Sequence, residues 1–318
     1  MSNLEWSYLW CEGSRSTEWS HSGIAVLESG RVLFGAPWGS ELVSVLPDGS
    51  DPRYMSTGLR ELHGISVSPN SPMESVWIAD PGIKSLPSDS YTWESAPGRA
   101  GIFNLSTRTF RDLQQPALQA YLGSSWHPTA VVESPGTAGG DSAIWVADGY
   151  GANLLHRFSP EGVYDRTLAG TPDGVQFDCP HGLVVDKRGE QDLLWVADRA
   201  NRRLVAFTTA GSYVLTVTDS RIKTPSSLAI FEGDLFVTEL DGALLAVNLE
   251  GTVRSLVDRV AGDVPDGWPN ALDGGKPRRP ELVDGRLNSP HGIAMGPTGD
   301  VFMTEWVIGG RQIRLRFA

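Results

Sequence analysis

The chain has 318 residues, more than the ~150 usual for one domain but within the range that closed all-β architectures reach as a single unit. Hydrophobic residues make up 40% and charged residues 20%, a balance that supplies a core and excludes general disorder. The net charge of −12 repels phosphate backbones and anionic headgroups, which speaks against nucleic-acid and membrane partners, and 36 Gly with 21 Pro disfavour long helical bundles.

In chain order, the N-terminal MSNLEWSYLWCEGSRSTEW has no basic stretch followed by an apolar run and a small-residue cleavage site. No apolar run anywhere approaches the ~20 residues that span a bilayer, so the expectation is a soluble, cytoplasmic chain. Residues 5–11, EWSYLWC, read as a strand. A repeat then begins: a small residue or His, a Gly or small residue, an alternating apolar strand, a polar turn, and a second apolar strand ending in Ala-Asp or Thr-Glu. The copies are SGIAVLESGRVLFGAP from Ser22, HGISVSPNSPMESVWIAD from His63, PTAVVESPGTAGGDSAIWVAD from Pro128, HGLVVDKRGEQDLLWVAD from His181, SSLAIFEGDLFVTE from Ser226 and HGIAMGPTGDVFMTE from His291.

After most copies comes a further segment with period-2 alternation, such as LLHRFSPEGVY at Leu154, so each unit is a short antiparallel meander. Repeats of roughly 40 residues with four strands each predict an all-β, six-bladed β-propeller, one domain over residues 1–318. The last unit, ending in QIRLRFA, has sequence for three strands only. The N-terminal strand is expected to supply the fourth and close the ring. Residues 81–100 and 258–288 fall outside the repeat and are expected to be long loops near the channel mouth. Cys11 and Cys179, without CxxC spacing, read as small buried hydrophobes.

Aligned on the start of the inner strand, the units present Ser22, His63, Thr129, His181, Ser226 and His291. Histidine occupies alternate blades, and in a six-bladed ring alternate blades are related by about 120°, so the three imidazoles converge on the axis. Three His with an open fourth position is a catalytic divalent-metal arrangement, zinc before other ions. The plainer alternative is that each His packs between blades and binds backbone, like Ser or Thr at the other positions. His21, His127 and His156 lie off the repeat position, with His21 and His127 as reserve ligands. Residues beyond the Ala-Asp endings reach the same rim as the histidines, bringing Tyr150, Arg199 and Glu305-Trp306 there. Arg199 near Tyr150 would favour the phenolate and could hold a substrate carboxylate. Asp80, Asp148 and Asp198 read as turn caps.

The segments HGLVVDKRGEQDLLWVADRANRRLVAF, DGYGANLLHRFSPEGVY and SPHGIAMGPTGDVFMTEW resemble the peptidylglycine α-hydroxyglycine α-amidating lyases, within the NHL-repeat propellers. The likeness runs from about residue 60 to 317. It implies that His63, His181 and His291 hold a catalytic zinc, that Tyr150 is the catalytic tyrosine, and that Arg199 is one of two site arginines, with Arg15 the candidate for the other. The chain departs from the family at Ser289 and Gly292, which puts an associated calcium site in question, and at Trp126 and Gly151, where the family's disulfide cysteines stand. The implied activity is cleavage of the C–N bond of an α-hydroxyamide, on a small or short peptide-like substrate, giving an amide and an aldehyde or glyoxylate-type product. A metal-dependent hydrolase of the lactonase kind and a non-catalytic binding propeller are the alternatives; lactonase propellers surround calcium with Glu, Asp and Asn, whereas the axial set here is histidine. The sequence does not set an oligomeric state.

Overall fold

The computed structural model describes residues 4–10, 16–88, 91–136, 142–259, 262 and 265–317. Among them are six four-stranded antiparallel sheets, the six blades of a β-propeller, as the repeat predicts. Blade 1 runs Ile24–Val26, Val32–Gly35, Glu41–Val45, Arg53–Ser56, and blade 2 runs Gly64–Val67, Ser75–Asp80, Arg99–Asn104, Thr109–Asp112. Blade 3 runs Ala130–Pro135, Ser142–Asp148, Leu154–Phe158, Tyr164–Leu168, and blade 4 runs Pro180–Asp186, Leu193–Asp198, Arg203–Thr208, Tyr213–Val217. Blade 5 runs Pro225–Phe231, Asp234–Glu239, Ala243–Val247, Val253–Val257. Blade 6 joins Pro290–Met295, Val301–Glu305 and Arg311–Phe317 to the N-terminal strand Leu4–Tyr8. That closing strand pairs antiparallel from Leu4 opposite Phe317 to Tyr8 opposite Ile313, and Leu9 and Trp10 follow it into the core. Among the described residues no helix is long and apolar enough to cross a membrane.

The core is divided into six wedges, one between each pair of neighbouring blades. Leu33, Leu42, Val76 and Ile78 fill the wedge between blades 1 and 2, and Leu9, Trp10, Phe34 and Phe302 the one between blades 6 and 1. This explains why second strands such as IWVAD and LLWVAD are apolar at successive positions: each lies between two other blades and buries both faces. Burial of each such large side chain is worth about 1.5–3 kcal/mol. The inner strands touch in cyclic order and surround a central cavity of about 250 Å³.

Two expectations need correction. Residues 81–100 are not a plain loop: a hairpin of Ile83–Pro87 with Tyr91–Ser95 is inserted between the second and third strands of blade 2, and Arg99 already begins the third strand. Residues 258–288 likewise hold a hairpin, Ala271–Asp273 with Lys276–Arg278. The Tyr91 hydroxyl donates to the Gly267 carbonyl, joining the two insertions. Their strands are short and half exposed, so Gly and Pro dominated the signal.

Candidate metal centre

Each axial histidine sits where its inner strand starts out of register. In blades 4, 5 and 6 pairing jumps from Pro180 to Gly182, from Pro225 to Ser227 and from Pro290 to Gly292. His181, Ser226 and His291 are therefore the extra residues of bulges, a device that re-aims a side chain. In blade 2 the His63 N–H donates to the Ala79 carbonyl while Gly64 pairs with Ala79, so again two residues oppose one. The glycine that follows has a steric cause. A Cβ at Gly64 would lie 2.5 Å from the Thr129 carbonyl oxygen, and one at Gly182 would lie 2.6 Å from that of Ser226. Only glycine lets the next blade approach this closely.

That approach orients the imidazoles. His63 Nδ1 lies 2.7 Å from the Thr129 carbonyl, His181 Nδ1 2.6 Å from that of Ser226, and His291 Nδ1 3.1 Å from that of Ser22. Each alternate blade without a histidine thus accepts the Nδ1–H of the preceding blade's histidine, which leaves the Nε2 lone pair facing the axis. The plainer sequence alternative, backbone binding by the histidines, is realised through Nδ1 and is compatible with ligation through Nε2.

The structure brings a fourth histidine to the same point. The ligand nitrogens of His21, His63, His181 and His291 all lie within 4.8 Å of one another, and all four residues are buried. His63 and His291 Nε2 are 3.1 Å apart, close to the ~3.3 Å expected between two nitrogens each ~2.0–2.1 Å from one tetrahedral zinc. Burial, reinforced by the neighbouring imidazoles and Arg199, holds His21, His63 and His181 well below the usual histidine range, and burial takes His291 down to about 3. Four neutral, convergent imidazoles suit a borderline-soft divalent cation, so the residues present fit zinc.

Tyr150 and Arg199 meet this cage as expected from their positions after the second strands of blades 3 and 4. The Tyr150 hydroxyl lies 3.0 Å from His181 Nε2, 3.2 Å from His63 Nε2 and 3.3 Å from His21 Nε2. The Arg199 guanidinium stands 5.5 Å over the Tyr150 ring. Arg199 pulls the phenol pKa down as anticipated, but burial outweighs it and the group is pushed up to about 12. Cys179 is not the core hydrophobe expected. It is half-buried, and its Sγ accepts from Arg199 Nη2 at 3.1 Å, so it steadies the guanidinium. Trp306, also expected at this rim, stacks on His21 with ring centroids 5.2 Å apart.

Other expected residues fall elsewhere. Arg15 and Cys11 lie outside the described residues. His127 Nδ1 binds the Pro81 carbonyl, and His156 is a satisfied core histidine between the Tyr121 hydroxyl and Thr167, so neither joins the cluster. Asp80, Asp148 and Asp198 each accept backbone N–H groups, among them those of Arg60, His127 and Asp178, and cap turns. His21 is the residue that repeat alignment undervalued. It precedes the repeat position by one residue, and only its nearness to Ser22 signalled it.

No family model matches the chain. A stretch of 87 residues is 34% identical to peptidylglycine alpha-amidating monooxygenase of Rattus norvegicus, spanning 26% of this chain and 8% of that protein's length. A solved streptogramin B lyase is similar at 14% identity and a TM-score of 0.60, covering 99% of this chain and 98% of the other. Virginiamycin B lyase from Staphylococcus aureus is similar at 14% identity and 0.60 over the whole of both chains. A gluconolactonase from Xanthomonas campestris follows at 12% identity and 0.60, covering 99% of this chain and 90% of that one. At such identities these likenesses establish the shared propeller fold.

Proposed function

We propose that this protein is a zinc-dependent lyase that cleaves the C–N bond of an α-hydroxyamide of small or short peptide-like character. The observation that carries the reading is the Tyr150 hydroxyl, held within 3.0–3.3 Å of three buried imidazoles and under a guanidinium from the next blade. His63, His181 and His291 would hold the ion. When bound, zinc supplies Lewis acidity toward substrate oxygens and positive charge that counters the effect of burial on the phenol.

The chain's own residues supply the rest. Arg199 has N–H donors beyond the one on Cys179, and these hold a substrate carboxylate in a fixed orientation. Tyr150 accepts the proton of the substrate hydroxyl as the C–O bond gains double-bond character. The electron pair of the breaking C–N bond goes to nitrogen, which takes the proton back from Tyr150, so an amide and an aldehyde-type product leave without net consumption of water. Trp306, stacked on His21, stands beside the site on that side.

Tyr150→Phe should lower kcat by about 10²–10⁴-fold while leaving the zinc content at wild-type level. Undiminished turnover in that variant would remove Tyr150 from the role of base. A hydrolase of the lactonase kind is the second reading, supported by the fold shared with a gluconolactonase. Against it stands the donor set, which among the described residues contains four histidines and no carboxylate. Product analysis separates the two, since a lactonase incorporates solvent oxygen and the lyase does not.

A further inference from the structure

The four histidines are not held alike. His63, His181 and His291 have Nδ1 tied to carbonyls of the following blades, at 2.6–3.1 Å. His21 Nδ1 makes no such bond among the described residues. Its ring is instead stacked on Trp306 and set edge-on to His63 and His291, at centroid distances of 4.4 and 4.5 Å. Three imidazoles are therefore locked in tautomer and rotation, and the fourth is positioned by packing and by its backbone.

That backbone is gripped from an unexpected quarter. Lys84, on the hairpin inserted in blade 2, buries its ammonium against three acceptors: the Trp19 carbonyl at 2.6 Å, the Pro37 carbonyl at 2.5 Å and Glu61 Oε2 at 2.7 Å. Glu61 is itself wholly buried. Tyr91 and Trp93 of the same hairpin pack on Trp19, with centroids 4.9 and 6.1 Å from it. The Ser20 N–H donates to the Val307 carbonyl, and Trp19 bridges to Ile308. The segment 19–21 is thus fastened on both sides, and the hairpin supplies one of them.

We propose that His21 is a fourth, exchangeable ligand of the metal centre, presented by the blade 2 hairpin through the buried Lys84–Glu61 pair. With His21 engaged, the centre is closed by four histidines; when its ring turns away, a position opens for substrate, and the three carbonyl-locked imidazoles retain the ion. The inference rests on the metal reading above and adds to it a gate at the coordination position. Lys84 and Glu61 are positioning residues in this scheme.

The test uses the full chain stripped of metal and reloaded with one equivalent of Co²⁺, whose visible absorption reports coordination number and donor set. His21→Gln should still take up one equivalent, with bands shifted from those of wild type. Acetohydroxamate should bind the His21→Gln protein about tenfold more tightly, because no protein ligand must first be displaced. The double variant Glu61→Leu with Lys84→Met removes the clamp without stranding a buried charge, and should shift the spectrum in the same direction. Superimposable spectra for wild type and His21→Gln would overturn the fourth ligand, and equal acetohydroxamate affinities would overturn exchange. A folded double variant with the wild-type spectrum would overturn the hairpin's role. Failure of the wild-type chain to bind Co²⁺ or Zn²⁺ at all would instead remove the metal reading itself.

Discussion

At the scale of single residues, the site depends on glycine as much as on histidine. Gly182 allows the Ser226 carbonyl to come within hydrogen-bond reach of His181 Nδ1, and a Cβ there would stand 2.6 Å from that oxygen and 2.9 Å from the Ser227 Cα. Both are backbone atoms and cannot swing aside. Gly182→Ala should therefore destabilise the fold by about 1–3 kcal/mol, as overpacking does, and also weaken zinc binding in a competition with a chelator. A variant with wild-type melting temperature and metal affinity would show that the blades tolerate separation here. The His-Gly pairs were legible in sequence as a marked repeat position. His21 was legible only as a reserve ligand beside Ser22, because its place in the cluster comes from a segment pinned to blade 6 and to Lys84, contacts that no local pattern encodes.

At the scale of elements, the hairpins of each blade were readable from alternation and from turn residues, and the acidic endings were readable as caps. A different carboxylate, Asp300 in the turn before the second strand of blade 6, shows what an ion-paired turn residue does for stability. Burial tends to raise the Asp300 pKa, but Arg314 at 2.8 Å, Arg316 at 3.0 Å and Thr298 overcome it and bring the group from 3.8 to about 2. The folded pKa lies below the unfolded one, so this contribution is present above pH 3.8 and is lost as pH falls toward about 2. Asp300→Asn should lower the melting temperature at neutral pH, and the gap from wild type should close between about pH 4 and pH 2 in a series of thermal melts. A gap that does not change over that range would assign the effect to packing. The inserted hairpins at residues 81–100 and 258–288 escaped the sequence reading for a different reason: Tyr91 and Trp93 find their partners on Trp19, far away in the chain.

At the scale of the whole molecule, stability is distributed over six wedges in a closed ring, and closure depends on one strand from the opposite terminus. Removing residues 1–11 would expose the edge strand Arg311–Phe317 and empty Leu9 and Trp10 from the wedge between blades 6 and 1. The expected cost is several kcal/mol or loss of the folded state, read as a fall in melting temperature and in the denaturant midpoint. An unaltered midpoint would mean the ring closes by other contacts. The amino-acid order alone determined the blade count, the closing strand and the alternate-blade histidines, because repetition and strand alternation are local patterns that burial writes into a chain. Only the tertiary structure decided that His21 joins them, that burial overrides Arg199 at the Tyr150 phenol, and that Cys179 steadies the guanidinium. Those outcomes follow from distances between separate blades and from the depth at which each group lies, and both quantities exist only once the ring has closed.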